Sequence, residues 1–278
     1  MTVQIVTDST SDLPPSVARE LGIHVVPLQV RFGEETYRDG VDIQPTEFFQ
    51  RLRVSSVLPT TSQPSAGDFA QTYRRISESG SEVLSVHISS KLSGTYNSAM
   101  LAKQEVGGHI EVLDSQQASF GLGLIVLSAA RAAQAGASLE DTTRAARQAM
   151  SRTYFFGLLD TLEYLQKGGR IGKVGALLGG FLQVKPILTV REGEVHALAK
   201  VRTRAKAIDR MVEIVASLRP VAELAVVHSS PEPEVAALIQ RLAPFFPQEN
   251  IRCAMFGPVI GTYIGPGGLG VALQVAEK

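Results

Sequence analysis

The chain has 278 residues, enough for one large α/β domain or two smaller ones, and its 27 basic residues balance its 27 acidic ones. Because it has neither a net charge nor a basic stripe with interleaved aromatic residues, we expect no nucleic-acid partner. A single cysteine, Cys253, excludes an internal disulfide, and the first residues lack the features of a signal peptide, so a cytosolic protein is expected.

Strands and helices alternate through the first half of the sequence. The predicted strands cover residues 3–7, 23–32, 82–88 and 110–114, and the predicted helices cover residues 14–22, 45–52, 65–79, 96–105 and 118–135, with another beginning at Ser138. Residues 33–42 and the hydroxyl-rich residues 59–64 are predicted to be loops. This alternation is typical of a mainly parallel sheet. The apolar run at residues 120–130 is too short to span a membrane and predicts a buried helix.

The second half has a different character, because glycine is frequent at residues 165–172 and 175–180. Further on, β-rich runs at 184–190 and 195–201 flank Arg191–Glu194 and predict a hairpin. The remaining predicted elements are helices at 203–218 and 231–242 and strands at 224–228, 251–256 and 269–275. We therefore predict a two-domain α/β protein. Its N-terminal domain, residues 1–155, has a mainly parallel sheet flanked by helices, and its C-terminal domain, residues 156–278, is mixed α/β.

The junction at residues 89–98 combines the end of a predicted strand, several hydroxyl side chains and the start of a helix. The first amides of a helix have no intrahelical partner, so a carboxylate or phosphate could bind beside Ser93 and Gly94. The alternative is purely structural, with Ser90 or Ser93 as an N-cap and Gly94 as a tight-turn residue. Asp12 is open to the same choice, since it could face a ligand or cap the first helix.

The sequence contains partial matches to known catalytic and nucleotide-binding motifs, but none of them is complete. The glycines at residues 265–270 match the dinucleotide fingerprint, but the chain ends too soon for the helix that must follow. Lys91 occupies the first glycine position of a nucleophile elbow around Ser93. The five histidines are scattered without metal-ligand spacing. Hydroxyl groups without a base suggest binding rather than catalysis.

Several segments, taken together and in order, resemble the DegV family of bacterial fatty-acid-binding proteins. They are VTDSTSDLP at 6–14, LPTTSQP at 58–64, SSKLSGT at 89–95, LQKGGRI at 165–171, VKPIL at 184–188, KVRTR at 200–204 and GPVIGT at 257–262. The resemblance implies a non-catalytic protein, without metal or cofactor, that holds one long-chain fatty acid such as palmitate in a buried tunnel. The C-terminal domain would close over the acyl chain. In some relatives a separate fatty acid kinase receives the bound acid.

The same resemblance implies the residues that contact the carboxylate. It assigns Thr61 and Ser62 in one loop and Ser93 and Gly94 in the other. Arg202 corresponds to a basic position that would bind the carboxylate or contact the kinase, with a solvated surface arginine as the alternative. At Tyr263 many relatives have histidine, and a phenol can donate a hydrogen bond but brings no positive charge at neutral pH.

Three hypotheses follow from the sequence. The leading one is a fatty-acid carrier that presents its ligand to a kinase in lipid metabolism. The second is a Ser93-dependent acyl hydrolase whose histidine comes from a distant segment, because nucleophile and base need not be adjacent in sequence. The third is a phosphate- or nucleotide-binding regulatory module that uses the same turn.

Overall fold

Three β-sheets organise the computed structural model, which describes residues 2–177 and 184–277. The strands are Val3–Asp8 (β1), His24–Val26 (β2), Gln29–Phe32 (β3), Glu35–Arg38 (β4), Thr60–Ser62 (β5), Glu82–His87 (β6), Ile110–Asp114 (β7), Thr153–Leu158 (β8), Lys185–Arg191 (β9), Glu194–Val201 (β10), Val221–His228 (β11), Arg252–Met255 (β12) and Leu269–Val275 (β13). The α-helices are Pro15–Glu20 (α1), Pro45–Val54 (α2), Ala66–Glu78 (α3), Thr95–Val106 (α4), Phe120–Gln134 (α5), Leu139–Arg152 (α6), Glu163–Lys167 (α7), Arg204–Ser217 (α8), Glu232–Leu242 (α9) and Pro258–Ile264 (α10).

The first sheet has four parallel strands in the order β2-β1-β6-β7. Helices α3 and α4 pack against it, and β6 is bounded by them as the sequence predicts. Ser65 caps α3 by accepting from the amide of Asp68, whose carboxylate accepts the Ser65 amide in return. The α/β fold with a parallel N-terminal sheet is therefore confirmed. All its strands present their carboxyl ends on one edge, where ligands of open α/β sheets bind.

The second sheet is mixed, with six strands in the order β10-β9-β8-β13-β11-β12. The predicted hairpin is confirmed as β9 and β10, which pair antiparallel around a turn at Glu192 and Gly193. Strand β8 pairs with β9 and β13 and so belongs to this sheet from Thr153 onward. The division of the chain near residue 155 stays a prediction, and this strand lies across it.

Helix α5 lies between the two sheets and contacts β1, β6, β8, β11 and β13. Its Phe120, Leu122 and Leu124 are at most 1% exposed, so the apolar run forms a buried helix as predicted. Side chains of both sheets share one apolar core around it. Within residues 2–177 and 184–277, the search for a helix long and apolar enough to cross a bilayer finds none.

A third, antiparallel sheet of order β4-β3-β5 corrects three predictions. The predicted strand at 23–32 is two strands, because Pro27 separates β2 in the first sheet from β3 in the third. The predicted loop at 33–42 contains β4, which follows a turn at Gly33 and Glu34 and has no apolar alternation to signal it. The predicted loop at 59–64 contains β5, whose Thr61 pairs with Val30.

Helix α10 was missed because its sequence, Pro258–Ile264, is rich in β-branched residues that favour strands. Its surroundings stabilise it instead. A side chain at Gly261 would collide with the rings of Phe48 and Phe49, so α10 lies tightly against α2. The other predicted helices of the second half are present as α8 and α9. Part of the predicted glycine-rich segment at 175–180 lies outside the described residues.

Candidate functional site

An apolar cavity opens between the two larger sheets, at the carboxyl ends of β1, β6 and β7. It contains about 780 Å³ of space free of protein atoms, including the solvent at its mouth. The space open to the centre of a water-sized sphere is only about 90 Å³, so the cavity is narrow.

Two elements, β8 and α10, supply a large part of the apolar wall. Strand β8 contributes Phe155 and Gly157, and Leu159 follows it, whereas the alternate residues Phe156 and Leu158 face the other core. From the opposite side, α10 contributes Val259, Ile260 and Ile264. The remaining apolar lining residues are Leu28, Ile88, Leu92, Ala118, Leu165, Leu188, Val190 and Val195. Such a mainly apolar surface suits an unbranched hydrocarbon.

Four polar residues gather on one part of the wall, namely Thr61, Ser93, Arg170 and Tyr263, and we call them the polar mouth. The hydroxyls of Tyr263 and Thr61 are hydrogen-bonded to each other. The ring of Tyr263 lies so close to Gly168 that a side chain there would collide with it. The structure therefore brings together two residues that the sequence analysis assigned to separate segments.

Arg170 supplies the positive charge of the polar mouth. Its Cζ lies 5.2 Å from the centre of the Tyr263 ring, and its Nε donates to the carbonyl of Leu92 at 3.3 Å. Its Nη1 donates to the carbonyl of Gly168 at 2.9 Å. Arg170 is exposed, and among the described residues it has no acidic partner and its Nη2 has no acceptor. A guanidinium without a counter-ion, beside an apolar cavity, is suited to a ligand carboxylate.

The turn at Ser93 and Gly94 reaches the polar mouth from the other side. Ser93 Oγ accepts from the Thr95 amide at 3.3 Å and lies 2.8 Å from Thr95 Oγ1, so it also serves the start of α4. A side chain at Gly94 would collide with Gln63, the residue after β5. Glycine is therefore required here because the two segments approach closely. Both the binding and the capping interpretation of Ser93 fit this geometry.

Three predicted contacts, Ser62, Arg202 and Gly94, are not among the residues that line the cavity. Ser62 is exposed and donates to Gln29 Oε1 at 3.2 Å, because successive residues of β5 point to opposite faces and Thr61 faces the cavity. Arg202 is exposed after the end of β10 and is not among the residues that line the cavity. Gly94 belongs to a neighbouring polar groove that shares Leu92, Ser93 and Arg170 with the cavity.

The arrangement around Ser93 does not supply a nucleophile's base, because within the described residues its hydroxyl bonds to Thr95 and not to a histidine. A Ser–His–Asp chain does exist elsewhere. Ser85 Oγ lies 2.6 Å from His87 Nε2, and His87 Nδ1 lies 3.0 Å from Asp8 Oδ2. Ser85, His87 and Asp8 are all fully buried, and Tyr73 donates to the serine at 2.8 Å, so substrate has no access.

Two buried carboxylates hold the first turn of α10. Asp12 Oδ1 accepts from the amide of Gly257 at 2.9 Å, and Asp39 Oδ2 lies 3.4 Å from the amide of Val259. A side chain at Gly257 would press against both acids. The expectation that Asp12 caps the first helix is wrong, since Pro14 occupies that position and Asp12 instead turns inward with φ at 52°. The two acids fix the helix that carries Tyr263.

The sequence matches a known protein family along almost its whole length. The family model of the DegV proteins, described as uncharacterised, matches residues 2–276. The chain belongs to the DegV family. It is 40% identical over 280 residues to a DegV domain-containing protein of Deinococcus radiodurans, and the match covers 99% of both chains.

Solved DegV structures share this fold. A DegV family protein from Thermus thermophilus, described by its fatty acid binding, has a TM-score of 0.92 and 41% identity, with 99% of this chain and 100% of that chain covered. DegV of Bacillus subtilis, described as a fatty acid binding protein, has a TM-score of 0.89 and 34% identity, with the same coverage. The predicted DegV membership is therefore confirmed.

The sequence analysis of this DegV chain missed Arg170. Its segment, LQKGGRI, carried the family resemblance, but the role of a cation was given to Arg202. The available signal was the adjacent pair Gly168 and Gly169, which follows α7 and turns the chain so that Arg170 comes back over Tyr263. No group of three or more His, Cys, Asp or Glu side chains suitable for a metal occurs among the described residues.

The buried acids predict how stability depends on pH. Burial raises the pKa of Asp39 from 3.8 to about 7, with a smaller contribution from the charge of Asp8. Between these values the folded protein retains a proton that the unfolded chain releases, so the free energy of unfolding should fall as pH rises from 4 to 7. The contribution of Asp39 is about 1.4 kcal/mol per pH unit, and it levels off above pH 7.

Urea unfolding of Asp39→Asn at several pH values measures this contribution. The variant should lose that part of the slope, while Glu249→Gln, which removes an exposed charge, should retain it. Equal slopes in wild type and Asp39→Asn would contradict the assignment.

Proposed function

We propose that this chain binds one long-chain fatty acid, with the carboxylate at the polar mouth and the hydrocarbon in the apolar cavity. The observation that carries the proposal is Arg170, a cation without an acidic partner among the described residues, beside a narrow apolar space. Thr61, Ser93 and Tyr263 add hydroxyl groups that can donate to the same carboxylate. The fatty acid binding described for the Thermus thermophilus and Bacillus subtilis relatives supports it.

The energetics favour such a ligand. Each methylene removed from water contributes about 0.8 kcal/mol, so a chain of roughly 16 carbons offers around 12 kcal/mol before ordering costs. Burying a bare carboxylate would offset much of this gain, so a charged donor at the entrance is needed. A guanidinium supplies it in this chain, where the phenol of Tyr263 cannot.

The position of the polar mouth also indicates whether another protein could reach the bound carboxylate. The groove lined by Ser93, Gly94 and Arg170 opens to solvent, so a carboxylate held there would be reachable from outside. We propose that the chain carries or presents the acid to a separate fatty acid kinase rather than transforming it. Ser93 without a histidine supports a carrier over a hydrolase.

Analysis of the copurified lipid tests the binding. Protein purified without added lipid and then denatured should release close to one equivalent of fatty acids of roughly 14 to 18 carbons, as identified by mass spectrometry. Empty protein that is also not stabilised by added palmitate or oleate would reject the proposal. Stoichiometric labelling of Ser93 by a fluorophosphonate would instead favour the hydrolase, and stabilisation by nucleotides alone would favour the regulatory module.

The contribution of a single hydroxyl group to fatty-acid binding can be tested at Thr61. Thr61→Val removes the hydroxyl that bonds to Tyr263 while keeping the shape of the side chain, and it should weaken palmitate binding about 3- to 10-fold. Ser62→Ala is the matched control, because the neighbouring hydroxyl points away from the cavity and its loss should leave the affinity unchanged. Equal losses in both variants would place the carboxylate elsewhere on β5.

A further inference from the structure

A wide groove lies between the C-terminal halves of α6 and α8, with strands β8, β9 and β10 at its floor. Helix α8 packs on the face of the sheet that carries Phe156 and Ile187. Tyr154 stands on the same face, two residues earlier in β8, yet it is 36% exposed. The helix therefore leaves part of this face uncovered.

The groove is much larger than the apolar cavity. The space open to the centre of a water-sized sphere is about 1010 Å³ here, compared with about 90 Å³ in the cavity. Leu198 lies in its lining and is 45% exposed, so a second large apolar side chain faces solvent beside Tyr154. A single acyl chain would fill only a small part of this space. The groove therefore fits a larger apolar surface.

The side chains around the groove have the composition of a protein interface. Six of the lining residues are arginine, aromatic or methionine residues, namely Arg147, Arg191, Arg210, Tyr154, Phe156 and Met150, and we call the site the arginine groove. Among the described residues, its lining includes one glutamate, Glu192, and neither lysine nor aspartate. Arginine, aromatic residues and methionine are enriched in protein interfaces, whereas lysine and acidic residues are depleted there.

The three arginines give this groove an excess of positive charge. Arg147 is exposed and has no acidic partner among the described residues. Arg191 lies 4.0 Å from Glu192, and Arg210 donates to Glu213 at 2.8 Å. All four of these paired side chains are more than half exposed, so their ion pairs contribute little to stability and can be exchanged for a partner's carboxylates.

The shape of the arginine groove favours a helix over a strand or a flat surface. Strand β10 is at the edge of its sheet, and its pairing with β9 shifts between Ala197 and Ala199, so that Leu198 forms a bulge. Because a bulge interrupts regular pairing, a partner strand would not add readily along this edge. A flat lipid surface would not reach the concave floor. An amphipathic helix can reach it with the side chains of one face.

We propose that the arginine groove is a docking site for an acidic amphipathic helix of a partner protein. Apolar side chains on one face of that helix would cover Tyr154 and Leu198. Acidic side chains beside them would pair with Arg147, Arg191 and Arg210 through charge-assisted hydrogen bonds.

The docking site lies next to the polar mouth. The hairpin of β9 and β10 separates the two, because Glu192 lines the arginine groove and Glu194 lines the polar groove that shares Ser93 and Arg170 with the cavity. A docked protein would therefore lie beside the opening at which a bound carboxylate is reachable. This consequence rests on the proposed fatty-acid binding, whereas the docking itself does not.

Binding of designed peptides to the full-length protein tests the docking site. The probe is a fluorescent helical peptide of about 18 residues, with leucine along one face and glutamate on both flanks of that face. Two control peptides keep its length: in one, lysine replaces every glutamate, and in the other the leucines are scrambled. At low salt the acidic amphipathic peptide should bind about tenfold or more tightly than either control, as measured by fluorescence anisotropy.

Variants locate the binding. Arg147→Glu reverses the unpaired charge and Leu198→Asp removes an exposed apolar contact, so each should weaken the acidic peptide roughly tenfold or more without lowering the melting temperature. Arg53→Glu and Val54→Asp are the matched controls and should leave the affinity unchanged, because they alter exposed residues at the end of α2, outside the groove.

Three results would overturn the proposal. One is wild-type protein that binds the acidic peptide no more tightly than the controls, and another is an equal loss in the groove variants and in the α2 variants. The third is a concentration-dependent dimer in analytical ultracentrifugation that Leu198→Asp dissociates, since a second copy would then occupy the groove. Binding to phosphatidylglycerol vesicles instead of the peptide would likewise reassign the surface to a membrane. Palmitate affinity should stay unchanged in all four variants, so a failure of this inference is distinguishable from a failure of the proposed function.

Discussion

Replacing Arg170 by alanine is expected to weaken palmitate binding roughly 10- to 100-fold, which is the range for a hydrogen bond to a charged group. Among the described residues that line the cavity, Arg170 is the only one with a charged side chain, and it has no acidic partner within that part of the chain. Without it, the carboxylate would keep only neutral donors. Displacement of a fluorescent fatty acid, followed as a function of salt, measures both the affinity and its electrostatic part.

Arg202 is the matched control for this experiment. The family resemblance assigns the cation to Arg202, whereas the cavity is lined by Arg170. Arg202→Ala should therefore leave palmitate affinity unchanged, and Arg170→Lys should give an intermediate loss because ammonium keeps the charge but not the planar fork. A larger loss in Arg202→Ala than in Arg170→Ala would move the carboxylate to the end of β10. If Arg202→Ala binds palmitate normally but transfers it to a kinase more slowly, Arg202 contacts the kinase instead of the carboxylate.

The second large effect is expected from filling the cavity at Gly157. This residue lies in β8 and lines the cavity, and a Cβ there would be 3.6 Å from Leu159 and 3.7 Å from Phe155, which is ordinary contact. Leucine at this position should therefore fold while occupying the space of about four methylenes. At about 0.8 kcal/mol for each methylene, palmitate should bind roughly 100-fold more weakly.

A series at the same position controls for backbone effects. Gly157→Ala adds one carbon without closing the passage and should change palmitate affinity little. Gly157→Leu should melt no earlier than wild type stripped of lipid, because its Cβ makes only ordinary contacts and the added side chain buries apolar surface. Wild-type affinity in a folded Gly157→Leu protein would mean that the acyl chain does not pass this point and would require another route for it.

Sequence patterns predicted most of the elements because their signals are local. A capping serine at Ser65, the turn between β9 and β10 and the alternation of strands with helices can each be recognised within a few residues. The failures were also local in origin. Strands β4 and β5 lack apolar alternation, and α10 has the composition of a strand, so only their neighbours in space stabilise the observed structure.

The sequence by itself determined the α/β class, the DegV membership and the hydroxyl-rich turn at residues 89–95, since all of these depend on residue order within short segments. The tertiary structure decided which distant residues meet. It brought Tyr263 to Thr61, selected Arg170 rather than Arg202 for the cavity and turned Ser62 away from it. The physical reason is that packing fixes which way a strand residue faces and where a glycine turn leads. The segments that pack together are as far as 202 residues apart in the sequence.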